Sequence, residues 1–148
     1  MRGLLRRVGL VTAVSISPAL LAGCATAYAP KNATGGYVEN WRSPSELEIA
    51  FHHNGYLTVE DARDLAMRRA AELALEAGRR YLRVWGERLH EQKFHGPQYA
   101  AIQVQLLEGR GEGAIDAVQV VRDTDTLAGG RLSSRAREQL RSLSSTDP

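Results

Sequence analysis

The segment from Thr58 to Gly78, TVEDARDLAMRRAAELALEAG, decides the fold of this chain. Its apolar residues recur at helical spacing: at 100° per residue, Val59, Ala62, Leu65, Ala66, Ala70, Leu73 and Ala77 share one stripe. Thr58 followed three residues later by Asp61 forms a capping box, and Gly78 stands where helices commonly end on a left-handed residue. The spacing predicts a helix over 59–77. Met67, Ala71 and Leu75 make a second apolar line at i, i+4 and i+8, nearly opposite the first. One apolar face lets a helix cover a sheet; a second implies that another element packs on it from behind.

N-terminal to this helix, Tyr37–Trp41 and Glu46–His52 read as two strands joined around Ser43-Pro44-Ser45. Leu47, Ile49 and Phe51 alternate with Glu46, Glu48 and Ala50, the period of a sheet with one buried face. Asn54-Gly55 ends the second strand, because both residues tolerate positive φ. Beyond the helix, Tyr81–Trp85 reads as a third strand. Tyr99–Leu107, with Ile102, Val104 and Leu106 at alternate positions, reads as a fourth, after a polar loop. Glu108–Gly113 is rich in turn residues. Residues 114–127 suit a helix through Ile115, Val118 and Val121, or a further strand given their β-branching. Leu132, Ala136, Leu140 and Leu143 form an amphipathic pattern that could cover the second line of the central helix, whereas Gly129-Gly130 and the Ser-rich end suit a mobile segment. The fold class is therefore α+β. It consists of a small antiparallel sheet of about four strands, order β-β-α-β-β, packed by one central amphipathic helix, with a C-terminal segment that is helical or mobile.

The N-terminus carries a different signal. Met1–Arg7 is cationic, and Val8–Leu21 is an apolar run of signal-peptide length, short for a transmembrane helix. Leu21-Ala22-Gly23-Cys24 has the form of the site read by lipoprotein signal peptidase. Ala22 and Gly23 are small enough to enter a tight protease site, and the Cys24 thiol can form a thioether to diacylglycerol before cleavage. The expected organisation is a signal peptide over 1–23, a lipidated and largely unstructured tether over 24–36, a single domain over 37–127 and a polar C-terminal segment over 128–148. Ala25, rather than aspartate, follows the cysteine; by resemblance to enteric sorting signals this favours the outer membrane, facing the periplasm. The implied partners are the lipoprotein processing and sorting machinery.

Composition narrows the function classes. At 148 residues the chain holds one ordinary domain. Its formal charge is +2, but Arg2, Arg6 and Arg7 all precede Cys24; without them 16 Lys and Arg face 17 Asp and Glu. A near-neutral domain with interspersed charge lacks the clustered cations that displace counterions from phosphates, so nucleic acid is discounted as a partner. Cys24 is the one cysteine, so the mature domain forms no internal disulfide and relies on packing.

Candidate sites are few. His52, His53, His90 and His95 suggest a metal, yet adjacent histidines on a strand point to opposite faces and the other two fall in the polar loop. Arg69 sits at the edge of the buried stripe with Glu72 and Glu76. It reads either as an anion site or, more simply, as a helix ion pair whose aliphatic stem covers apolar surface. Glu60, Asp61 and Asp64 suit a helix N-terminus. Gly109–Gly113 lacks the spacing and the Lys-Ser or Lys-Thr of a phosphate loop, and no serine lies in a nucleophile motif, so no cofactor or catalytic residue is assigned. Tyr37, Trp41, Tyr81 and Trp85 suit either core packing or a surface for sugars or a partner.

Several stretches resemble a family of small proteobacterial lipoproteins of unknown function, known from Caulobacter genomes. They are the Cys24 motif, Tyr28-Ala29-Pro30, Gly35-Gly36-Tyr37-Val38-Glu39, Phe51 with Asn54-Gly55-Tyr56, and Arg69-Ala70-Ala71-Glu72-Leu73-Ala74-Leu75-Glu76. Ile115-Asp116-Ala117 matches more weakly, where the family has an aromatic before Asp-Ala, and Tyr81-Leu82-Arg83 replaces a more apolar strand start. The resemblance implies a lipoprotein and carries no activity. The leading expectation is a membrane-anchored, non-enzymatic interaction or structural protein with an envelope protein or peptidoglycan as partner. A binding module for peptidoglycan, glycan or a small anionic ligand is the alternative, and a histidine-based metal-dependent hydrolase is third.

Overall fold

The computed structural model describes residues 26–91 and 98–145. Five strands form one antiparallel sheet: β1 (Gly36–Trp41), β2 (Glu46–His53), β3 (Tyr81–His90), β4 (Gln98–Leu107) and the two-residue β5 (Ile115–Asp116). Their spatial order is β1-β2-β4-β3-β5. Helix α1 (Val59–Glu76) connects β2 to β3, and β4 inserts between those two strands, antiparallel to both. Helices α2 (Ala117–Asp123) and α3 (Ser134–Ser144) complete the chain.

The register lines up Leu47 with Val104, Ile49 with Ile102, and Phe51 with Ala100, so the alternating residues of β2 and β4 share the face beneath α1. Leu82 continues that face on β3. All of them are buried, together with Val59, Ala62, Leu65, Ala66, Ala70 and Leu73 of α1. The three alanines Ala62, Ala66 and Ala70 allow close approach to the sheet, which small side chains permit and large ones would block, whereas Ala77, expected on the same stripe, is exposed at the C-cap of the helix. Thr58 caps the helix reciprocally: Asp61 N–H donates to Thr58 Oγ1 and Thr58 N–H donates to Asp61 Oδ2, each at 3.0 Å.

The second apolar line of α1 is also covered. Met67, Ala71 and Leu75 are buried, with α2 and α3 packed on that side of the helix. Residues 114–127 resolve into a short strand pair followed by a helix. Asp116 caps α2 by accepting from Val118 N–H at 2.9 Å and pairs with Arg80 at 2.9 Å, and the helix buries Val118 and Val121. The C-terminal segment is helical over Ser134–Ser144. It is capped by Ser133 and buries Ala136, with Leu132, Leu140 and Leu143 partly covered against the core.

Two expectations are corrected. Residues 26–36 do not form a free tether: Thr26 and Tyr28 are buried, and Tyr28 lies 5.4 Å from the Tyr37 ring, centroid to centroid. Lys31 N–H donates to the Tyr37 carbonyl and Tyr37 N–H to the Ala29 carbonyl, each at 2.9 Å, so this segment covers part of the free edge of β1. The paired glycines serve close approach rather than flexibility. Gly36 has φ +119°, and a Cβ there would sit 2.4 Å from the Ala29 carbonyl oxygen. The third strand also runs to His90 rather than ending at Trp85, so residues 86–90, expected in the polar loop, belong to the sheet. A bulge between Val84 and Gly86 turns Trp85 out, leaving it 51% exposed beneath the Arg42 guanidinium at 5.6 Å.

Candidate functional site

The helical turn carrying Arg68, Arg69, Glu72 and Glu76 holds the densest polar cluster among the described residues. Arg69 leaves the helix toward β1, where its Nε donates to Glu39 Oε1 at 2.6 Å. Its Nη1 donates to Glu72 Oε2 at 3.0 Å, and Glu76 lies 3.6 Å away. The guanidinium also sits 4.9 Å over the Tyr37 ring. Burial would lower the Arg69 pKa, but the hydrogen bonds and charge of Glu39, with Glu72 beside it, outweigh burial and hold it above its ordinary value. Arg69, Glu72 and Glu76 are thus brought together as an ion network. Glu76 additionally accepts from Ser133 Oγ at 2.5 Å, which ties α1 to the cap of α3.

Arg68 is the residue that pattern reading passes over. It is 0% exposed, the largest fully buried side chain among the described residues. Its Nε donates to Glu72 Oε1 at 3.0 Å, its Nη1 to the Val121 carbonyl at 2.6 Å and its Nη2 to the Arg131 carbonyl at 2.6 Å. Glu72 therefore accepts from two arginines, one on each oxygen. The signal for this pairing was present in the i, i+4 spacing of Arg68 and Glu72, but nothing local marked that face as buried.

A cavity of about 300 Å³ opens beside the network, lined by Tyr28, Tyr37, Arg69, Glu72, Arg131 and Ser133 among others. Arg68, Arg69 and Arg131 are balanced there by Glu39, Glu72, Glu76 and Asp125, so an anion would have to displace a carboxylate already bound to Arg69. The Tyr28 hydroxyl is buried on the Glu72 side of this cavity, and burial, followed by the charge of Glu72, raises its pKa.

The histidines are distributed more subtly than their sequence positions imply. His52 and His90 flank Tyr99 across β2, β4 and β3, at 5.5 and 5.3 Å between ring centroids, on the open face of the sheet. His90 belongs to a strand, not a loop. His53 points the other way and is buried; its Nδ1 lies 3.0 Å from the Asn54 carbonyl, and its Nε2 has no partner among the described residues. Burial, then the charges of Lys31 and His53, lowers the His52 pKa. Among the described residues no three His, Cys, Asp or Glu side chains are grouped so as to hold a metal ion. His95, Cys24 and the peptidase-recognition residues Leu21, Ala22 and Gly23 lie outside the described residues.

A second cavity, of about 400 Å³, lies at the end of the sheet where β1 and β4 begin and β2 ends. Its nine lining residues include Lys31, Asn32, Thr34, His52, His53 and Asn54 and no carboxylate. Thr26 anchors this end, donating to the Thr34 carbonyl at 2.9 Å and accepting from Asn54 N–H at 3.0 Å. Trp41 and Trp85 are about half exposed at separate positions on the sheet and border neither cavity. No family model, curated protein or solved structure matches this chain.

Proposed function

We propose that this protein is a lipid-anchored, non-enzymatic interaction or structural component of the cell envelope. Lipoprotein signal peptidase cuts it ahead of Cys24, and it is held at the outer membrane facing the periplasm. The observation supporting this reading is that Thr26, two residues after the cysteine of the Leu21-Ala22-Gly23-Cys24 motif, is buried and hydrogen-bonded to Thr34 and Asn54. Consecutive Cα atoms are about 3.8 Å apart, so Thr26 can stand no more than ~8 Å from the acylated residue. A chain folded this close to its anchor does not reach far into the periplasm by itself; it presents a fixed surface near the membrane. Each acyl methylene buried in the bilayer contributes about 0.8 kcal/mol, enough for durable attachment by two or more chains. None of the helices among the described residues is long and apolar enough to cross a membrane.

The polar clusters fit a structural role. Arg69 and Arg68 are spent on carboxylates and carbonyls of their own domain, and these bonds join α1 to β1, α2 and the segment leading into α3. The cavity beside Tyr37 supports a second reading, a site for a small neutral polyol or sugar, because an aromatic ring, a carboxylate and a guanidinium line one concavity of suitable size. Fractionation of cells expressing the full chain or Cys24→Ser tests the first reading. The wild-type protein should sediment with envelopes in processed form, and the variant should be retained at precursor size. Identical processing and solubility of the two would refute it.

A further inference from the structure

We propose that the end of the sheet bearing Lys31, Asn54 and Tyr56 is a membrane-seating surface that rests in the phospholipid head-group layer of the anchoring bilayer. The inference rests on the anchor reading and specifies the orientation that follows from it.

Three observations converge on this end. Thr26, two positions after Cys24 in the sequence, is fastened here by its bonds to Thr34 and Asn54. Tyr56, in the turn after β2, is 70% exposed, the most exposed of the large hydrophobic side chains among the described residues, and it lies two residues from Asn54. Tyrosines with an apolar ring and a polar tip favour head-group depth. The 400 Å³ cavity alongside is lined mostly by polar residues, among them the cation Lys31 and no carboxylate among the described residues, which suits the phosphate of a lipid head group. One wall of it is His53, whose Nε2 is buried without a partner among the described residues.

At the opposite end of the sheet Trp41 is also exposed, at 47%, but it stands six residues along β2 from the anchored end, ~20 Å at about 3.3 Å per residue. Glu60 and Asp61, in the first turn of α1, do lie toward the anchored end, with the Asp61 carboxylate engaged by Thr58 N–H.

The test uses the full chain, expressed and processed in cells, purified with its lipid and reconstituted into vesicles of phosphatidylethanolamine and phosphatidylglycerol. A fluorophore is placed through Gly55→Cys, where a new side chain meets no atom within 4 Å, or through Arg110→Cys at the far end. Cys24, as a thioether, takes no label. A lipid carrying a nitroxide on its head group should quench the label at 55 severalfold more than the label at 110, and Lys31→Glu should reduce that difference without releasing the protein from vesicles. Acylated protein with equal quenching at the two positions, or a difference untouched by Lys31→Glu, overturns the seating while leaving the anchor intact. Absence of acylated product removes the anchor reading and the seating together.

Discussion

Arg68→Met should be among the most damaging single substitutions in the domain. The guanidinium is fully buried and reaches Glu72 at 3.0 Å and the Val121 and Arg131 carbonyls at 2.6 Å each. Its contact with Asp125, at 3.3 Å, adds little because that carboxylate is 58% exposed and solvent screens it. Methionine fills much of the same space but donates nothing. Glu72 keeps its bond to Arg69, yet two carbonyls lose their donor, at about 1–3 kcal/mol for each one that stays buried. Breaking a buried ion pair by removing one partner costs about 3–5 kcal/mol, and the same range holds here because the remaining Arg69 bond offsets part of the loss. Against a total of about 5–15 kcal/mol for a domain, that is a large fraction. Urea unfolding followed by circular dichroism measures it directly. Pairing the change with Glu72→Leu should give a combined loss smaller than the sum of the two, since the second substitution removes the charge that the first leaves short of a partner. A loss under about 1 kcal/mol for Arg68→Met, the range of exposed pairs, would refute the assignment of Arg68 as the junction between α1, α2 and the segment preceding α3.

Other substitutions test the remaining joints. Tyr28→Ala should destabilise the fold by about 3–5 kcal/mol, as truncation of a buried aromatic does, whereas a free tether would tolerate it; thermal unfolding distinguishes the two. Tyr28→Phe should cost far less than Tyr28→Ala, because the buried ring beside Tyr37 is kept. Gly36→Ala should lower the melting temperature, since the alanine Cβ would meet the Ala29 carbonyl at 2.4 Å in a left-handed conformation costing about 1–3 kcal/mol. The depressed pKa of His52 means that the folded state takes up its proton less readily than the unfolded chain. Its contribution is complete above its ordinary value of 6.5 and is lost as pH falls through the lower folded value, so His52→Gln should flatten the pH dependence of melting in that window. The raised pKa of Asp64, caused first by burial, acts with opposite sign: its contribution is complete below the ordinary value of 3.8 and is lost as pH rises through the folded value.

Local spacing made much of the fold legible. The capping box and two apolar lines of α1 are read from residues 58–78 because a helix reports its neighbours through its own periodicity, and alternation in β2 and β4 does the same for a one-sided sheet. Long-range relations were not legible in the same way. Pro30 and Gly35-Gly36 have the composition of a linker, but their role depends on the Ala29 carbonyl and on Tyr28 meeting Tyr37, contacts no local pattern encodes. The bulge in β3 falls where Val84 pairs with Val104 and Gly86 with Gln103, so that Trp85 is the extra residue, a register shift that no local pattern announces. Of the site, Arg69 with Glu72 and Glu76 is visible as a helix-edge cluster, while nothing local sets Arg68 apart, because the cover supplied by α2 and the segment before α3 comes from distant sequence.

Mass spectrometry of the intact mature protein extracted from envelopes bears most directly on the anchored-domain account. The account predicts a chain that begins at Cys24 and exceeds its sequence mass by a thioether-linked diacylglycerol. A chain that retains Leu21-Ala22-Gly23, or one in which Cys24 carries a free thiol, would contradict it.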